Sequence, residues 1–211
     1  MSERDGRLPD VLLAGVPKAG TSTLARWLGA HPEVHLPPQK EVHFFDEHAD
    51  AGLDWYRSQF AGPGALAVDA TPTYALRDEW LAAALRAVPS ARVVLLLRHP
   101  VERLWSAYWY LRSMGLERRT LEQVVDDGMA APPGHATRVA AGDYRALLHR
   151  VDRHVAPDRL LLLLQDDLAA APDDVWDRTC AFVGIDGPRP VGVGERLNVT
   201  GTLRSFHLRH W

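Results

Sequence analysis

The stretch "VLLAGVPKAGTSTL", residues 11–24, decides how the rest of the chain is read. Its first half, 11–16, is short, apolar and ends at Gly15 and Pro17, which predicts a buried strand. Its second half changes period. Leu24, Trp27 and Leu28 fall at helical spacing, and "GAHP" (29–32) closes the segment. Between strand and helix lies "GVPKAGTST" (15–23), with two glycines around four residues and then hydroxyl residues. That is nearly the outline of a phosphate-binding loop. However, Thr21 stands where such a loop carries its lysine, and Lys18 lies inside the loop instead.

A glycine-rich turn before a helix aims several backbone N–H groups at one place, and the helix N-terminus adds partial positive charge. Thr21, Ser22 and Thr23 supply hydroxyl donors, and Lys18 supplies a full charge. Two other readings stand beside an anion site: an ordinary strand-to-helix turn capped by threonine, and a nucleotide triphosphatase. The triphosphatase needs an acidic residue at a second strand end to hold magnesium. Here "RVVLLL" (92–97) runs into Arg98, His99 and Pro100. A cationic strand end suits a second anion, so the loop points to a phosphate-bearing ligand held without a metal.

The remaining pattern predicts strands at 65–70, 92–98 and 159–164, and helices at 78–88, 101–115, 143–155 and 173–184. Gly/Pro clusters at 61–65 and 131–135 read as loops. Strands without alternation, separated by helices, imply a parallel sheet covered on both faces, in an α/β fold. Ligands of such sheets bind beyond the carboxyl ends of the strands, which puts 15–23 and Arg98 at one rim. In the 101–115 helix Ser106 lies two turns in, where it can add a hydrogen bond to an anion gripped by Arg98. Arg103 reads as structural, and Trp105, Tyr108 and Trp109 as facing the core or lining a pocket wall.

Composition narrows the class. The chain has 211 residues, 46% hydrophobic and 24% charged, with net charge −3, so bulk positive charge for nucleic acid is lacking. No apolar run reaches membrane-span length. The single cysteine, Cys180, and a polar N-terminus without a signal-peptide core fit a cytoplasmic protein of one domain, 1–211.

"PKAGTSTL" (17–24), "KEVHFFD" (40–46), "DATPTY" (69–74) and "LRHPVERLWSAY" (97–108), in this order, resemble the sulfotransferases that use 3′-phosphoadenosine 5′-phosphosulfate (PAPS). The likeness is to the heparan sulfate and bacterial branch, over about residues 11–185. It implies a P-loop-type three-layer fold with a central parallel β-sheet flanked by helices. It implies that Lys18, Ala19, Gly20, Thr21, Ser22 and Thr23 bind the 5′-phosphosulfate, Lys18 facing the bridging oxygen. It further implies that Arg98 and Ser106 bind the 3′-phosphate, and that 3′-phosphoadenosine 5′-phosphate (PAP) is the product, with no metal.

Glu41 and His43 are two apart, so in an extended segment they point the same way, and either could take a proton from an acceptor hydroxyl. Phe44 and Phe45 read as anchors into the core. The resemblance implies Glu41 as general base, with burial acting to raise its pKa, and His43 orienting the acceptor; some sulfotransferases use histidine as the base. Two departures bear on the acceptor and the C-terminus. Ala70 stands where the heparan sulfate enzymes usually carry a lysine, which with the net charge argues against a polyanionic polysaccharide. The chain also reads as short or truncated after "NVTGTLRSFHLRHW" (198–211), with Gly201 and Arg204 as a remnant of a basic loop over the adenosine. The acceptor stays open between a sugar, a lipid, a phenol and a secondary metabolite. The competing readings are a magnesium-dependent small-molecule kinase and a nucleotide-binding module without chemistry.

Overall fold

The computed structural model describes residues 6–131, 137–187 and 190. Five strands form one sheet: β1 (Val11–Gly15), β2 (Val34–His35), β3 (Leu66–Asp69), β4 (Arg92–Leu97) and β5 (Leu160–Leu164). Their order is β2-β3-β1-β4-β5, and every neighbouring pair is parallel. The helices are α1 (Thr21–Gly29), α2 (Leu53–Ser58), α3 (Asp78–Ala87), α4 (Pro100–Ser113), α5 (Leu121–Ala130), α6 (Tyr144–Asp152), α7 (Gln165–Ala170) and α8 (Pro172–Val183).

The reason for a parallel sheet is visible in the burial. Every residue of β1 and β3 is buried, and so are Val93 to Leu96 of β4. A strand buried at consecutive positions must be covered on both faces, which is what crossover helices provide. The edge strand departs from the expectation of full burial. Leu162 and Leu164 of β5 are 38% and 52% exposed, because an edge strand has a neighbour on only one side.

The strands and the long helices lie where the sequence pattern puts them, to within one to three residues at either end. Local chemistry sets several of the ends. Pro100 opens α4, a Thr120–Gln123 capping box opens α5, and Gly184 in the left-handed conformation closes α8. The pattern does not reveal β2, α2, α5 or α7. β2 is only two residues long, α2 and α7 are six each, and α5 carries a glycine in its interior and two β-branched valines.

The topology fixes the rim that matters. β1 lies between β3 and β4, with Gly15 in register with Leu95 and the Val16 N–H donating to the Leu96 carbonyl at 2.9 Å. Segments leaving β1, β3 and β4 therefore emerge side by side. Gly20, the residue before α1, has φ 101°, and a Cβ there would lie 2.7 Å from Leu168 Cδ1. The backbone favours glycine at that position, and any other residue would also have to displace the Leu168 methyl. Gly20→Ala is expected to lower the unfolding free energy by about 1–3 kcal/mol, read as a lower denaturation midpoint in urea.

Candidate active site

The loop after β1 carries Lys18 in the left-handed region at φ 69°, then buried Ala19, Gly20 and the buried Thr21 that begins α1. At the start of α1 the Thr23 N–H already donates to the Gly20 carbonyl at 2.9 Å, whereas those of Thr21 and Ser22 have no carbonyl one turn back within the helix and face the rim as donors. Lys18 Nζ sits 3.8 Å from the centroid of the Tyr110 ring on α4. Burial first, and the nearby Arg98 guanidinium second, lower the pKa of its amine.

Arg98 follows β4 as expected, and the structure brings it against the β1 loop. One guanidinium nitrogen donates to the Lys18 carbonyl at 3.4 Å, and the other two reach Glu102 Oε2 at 3.2 and 3.3 Å. Tyr144 of α6 holds the Arg98 backbone from both sides: its hydroxyl donates to the Arg98 carbonyl at 2.6 Å and accepts from the Arg98 N–H at 3.2 Å. Glu102, Ser106 and Tyr110 are spaced four apart on α4 and share one face. Because Glu102 meets Arg98 and Tyr110 meets Lys18, the part-buried Ser106 lies between them on the side of the loop. Arg103 is buried and donates to the Arg138 carbonyl, as a structural role requires. Tyr108 is buried too, whereas Trp105 is 48% exposed and lies on the outside of α4 rather than in the core. Gly201 and Arg204 lie outside the described residues.

The third component is the segment 40–46. Lys40 and His43 both have positive φ, at 50° and 52°. With Lys18, they are the three non-glycine residues in that region among the described residues, and all three belong to this site. Such conformations cost on the order of 1–3 kcal/mol each and persist only where the surroundings over-determine them. Lys40 Nζ donates to Ser22 Oγ of α1 at 3.1 Å and pairs with Glu41 Oε1. His43 Nε2 lies 3.3 Å from Glu41 Oε2, while its Nδ1 lies 2.9 Å from Asp46 Oδ2 and 3.7 Å from Glu47 Oε1.

A buried platform beneath holds this segment in place. Asp69, wholly buried at the end of β3, accepts from Thr71 Oγ1 at 2.6 Å, Tyr56 at 2.8 Å and Tyr74 at 3.0 Å. Thr71 Oγ1 in turn accepts the N–H groups of Val42 and His43 at 3.0 and 3.2 Å, and the Tyr74 hydroxyl accepts the N–H of Phe44 at 2.9 Å. The Phe44 ring stacks on Tyr56 at 4.6 Å, and Phe45 packs edge-on against Tyr56 and Tyr74, so both phenylalanines anchor the loop as expected. The "DATPTY" stretch thus supports the segment 40–46 through Asp69, Thr71 and Tyr74. Spacing alone could not show this, since the partners lie 13 to 30 residues away.

Two titrations follow from the contacts. Burial pushes the Glu41 carboxyl up, but hydrogen bonds from His43 and Lys40 more than offset it, so its pKa is lowered rather than raised. The hydrogen bond to Asp46, followed by that to Glu41, raises His43 to about 10. At neutral pH the site therefore holds a carboxylate at Glu41 and an imidazolium at His43. His43, Asp46 and Glu47 could also offer three ligand atoms to a cation, within 4.8 Å of one another.

A raised histidine pKa contributes stability that is complete below the unfolded value of about 6.5 and is lost as pH rises through the folded value. Burial pushes Asp46 up, and the bonds from His43 and Thr73 bring it below its ordinary value, so its own contribution is intact at neutral pH. Asp46→Asn is thus expected to destabilise the protein most near pH 6. The gap from wild type should narrow steadily toward pH 10, as measured by urea unfolding across that range. A gap independent of pH would count against the charged pair.

Comparison with known proteins adds to this geometry. The sulfotransferase domain model matches residues 8–198. Human heparan sulfate glucosamine 3-O-sulfotransferase 3A1 is 27% identical over 189 residues, covering 88% of this chain and 46% of that protein. The mouse bifunctional heparan sulfate N-deacetylase/N-sulfotransferase 4 is 28% identical over 195 residues, 84% of this chain and 22% of its own length. The chain thus spans less than half the length of these curated relatives. Among solved structures, a sulfotransferase from Alicyclobacillus acidocaldarius superposes with TM-score 0.74 at 24% identity, covering 86% of this chain and 83% of that one. A mouse sulfotransferase complexed with PAP gives 0.63 at 16% identity, covering 89% and 63%. These likenesses establish the P-loop-like α/β fold, and the match over 8–198 shows that the chain belongs to the sulfotransferase domain family.

Proposed function

We propose that this chain transfers a sulfuryl group from PAPS to an acceptor hydroxyl and releases PAP. The observation that carries the reading is the pairing of two cations, Lys18 and Arg98, at the adjoining carboxyl ends of β1 and β4, with an ionised Glu41 close enough to Lys18 to affect its charge. The residues present suit such a donor. The β1 loop offers helix N–H groups, the hydroxyls of Thr21, Ser22 and Thr23, and a glycine at position 20 where a Cβ would clash. These are the groups an anion cradle needs. Arg98 with Ser106 makes a second anion site one strand away.

When bound, the donor supplies the sulfuryl group and a phosphate as leaving group. Glu41 takes the proton from the acceptor hydroxyl as its oxygen attacks sulfur in line and the bridging S–O bond breaks. Lys18 and the loop N–H groups hold the negative charge left on the phosphate. His43, kept as an imidazolium by Asp46, cannot accept that proton at neutral pH; it orients Glu41 and the acceptor oxygen. A magnesium-dependent kinase would need an open acidic strand end for the metal; β4 runs into Arg98, and Asp69 at the end of β3 is wholly buried and taken up by three hydroxyls. On the segment 40–47 the acids Glu41, Asp46 and Glu47 are paired with Lys40 and His43, leaving no surplus of cations, and Ala70 is fully buried and offers no charge there. This favours an uncharged hydroxyl acceptor, a small molecule or a neutral glycan, over a polyanion. We place the protein in the cytoplasm; no helix among the described residues is long and apolar enough to cross a membrane.

Glu41→Gln keeps the shape but cannot accept a proton, so turnover should fall by about 10²-fold or more while PAP affinity in calorimetry stays near wild type. The pH–rate profile separates the two candidate bases. With Glu41 as base, activity is flat across neutral pH. With His43 as base, it would climb about tenfold per pH unit until His43 loses its proton near 10. Unchanged turnover in Glu41→Gln, or the climbing profile, removes Glu41 from the role.

Arg98→Ala should weaken PAP more than adenosine 5′-phosphosulfate, which lacks the 3′-phosphate, by about 2–5 kcal/mol. Calorimetry on both ligands reads this directly, with ATP plus magnesium as the control for a kinase. Equal weakening of the two ligands overturns the 3′-phosphate assignment.

A further inference from the structure

The proposed reaction gives Lys18 its task, and the inference below rests on that reading: the amine must be an ammonium when the bridging bond breaks. Its surroundings work against that. Burial and the Arg98 guanidinium from the end of β4 disfavour the charged form most, with a further contribution from Lys40. Glu41, on the same segment as Lys40, favours it, but its two oxygens already face Lys40 and His43. The fourth element against Lys18 is α4, which presents no acid to it. Glu102, the carboxylate on that face, is bound to Arg98. What α4 offers is the ring of Tyr110, two turns further along the same face, with Lys18 Nζ 3.8 Å from its centroid.

We propose that Tyr110 is a positioning residue for sulfuryl transfer: its ring seats the Lys18 ammonium beside the β1 loop, where the leaving phosphate gathers its charge. An aromatic face attracts a cation through its quadrupole without supplying a negative charge. That distinction matters here. A carboxylate in the same place would repel the phosphate as it leaves, whereas a ring holds the ammonium and leaves it free to face an anion. The left-handed backbone of Lys18 aims the side chain, and the Arg98 contact to the Lys18 carbonyl fixes the peptide from which it springs. Glu102, Ser106 and Tyr110 then form one working face of α4, with Glu102 holding the cation of the second anion site and Tyr110 that of the first.

Competitive acylation with isotopically labelled acetic anhydride, read by mass spectrometry of the Lys18 peptide, gives the titration of this one amine and needs no acceptor. Tyr110→Phe keeps the ring and should titrate with the wild type. Tyr110→Leu suits a half-exposed helix position but has no ring. Its Lys18 should titrate about 0.5–1 pH unit lower and label several-fold faster near pH 8. An unchanged or higher midpoint in Tyr110→Leu, or an equal shift in Tyr110→Phe, overturns the proposal. Adding PAP to the wild type tests the donor site separately. Protection of Lys18 supports it. Absence of protection refutes the leaving-group role of Lys18, and the Phe/Leu comparison still decides whether the ring seats the amine.

Discussion

The buried carboxylate of Asp69 is the contact on which the rest of the site depends. A carboxyl group taken wholly out of water is costly unless it is hydrogen-bonded, and burial raises the pKa of Asp69 while the hydroxyls around it act to lower it. Here three hydroxyls, from Thr71, Tyr56 and Tyr74, all point at it. Committing those protons to Asp69 leaves the hydroxyl oxygens free to accept. Two of them do so, from the backbone N–H groups of Val42, His43 and Phe44. A requirement of burial is thereby converted into the position of a loop. Removal of the carboxylate would leave the hydroxyls without an acceptor and the loop with support of the wrong polarity.

Above that platform the charges are arranged in compensating pairs. Lys40 meets Glu41, Glu41 meets His43, His43 meets Asp46, and Arg98 meets Glu102. In a part-buried setting each of these groups is worth more to its neighbour than it would be in bulk water, and the pKa directions follow. Glu41 is pulled down although burial pushes it up, and His43 is pushed far up because Asp46 and Glu41 hydrogen-bond its ring and Glu47 lies near it. Two candidate bases that look equivalent in the sequence become chemically distinct through their partners.

The same economy governs the backbone. Lys18, Lys40 and His43 each occupy the left-handed region that residues with a Cβ avoid. Each is held there by contacts that involve the site itself: the Arg98 bond to the Lys18 carbonyl, the Lys40 bond to Ser22, and the Thr71 bond to the His43 N–H. Strain concentrated at a site in this way is stable only because the sheet and the aromatic cluster around Tyr56 over-determine the geometry.

The sequence by itself determined the layers and the rim. Apolar runs at 11–16 and 92–97 that do not alternate can only be strands covered on both faces. A glycine-rich turn between the first run and a helical pattern then puts a helix N-terminus at the carboxyl edge, where the sequence leads one to expect an anion. Lys18, Thr21 and Arg98 could be put at that rim for this reason, whereas Glu41 and His43 were singled out by the resemblance of "KEVHFFD" to a family motif. The tertiary structure alone decided how they work together. The Asp69 platform, the seat of Lys18 on Tyr110, the hold of Tyr144 on Arg98 and the proton on His43 all join residues from different elements. A chain read in order carries propensity and period, but a pKa, a strained φ and a buried hydrogen bond are properties of neighbours, and neighbours are fixed only when the sheet has formed.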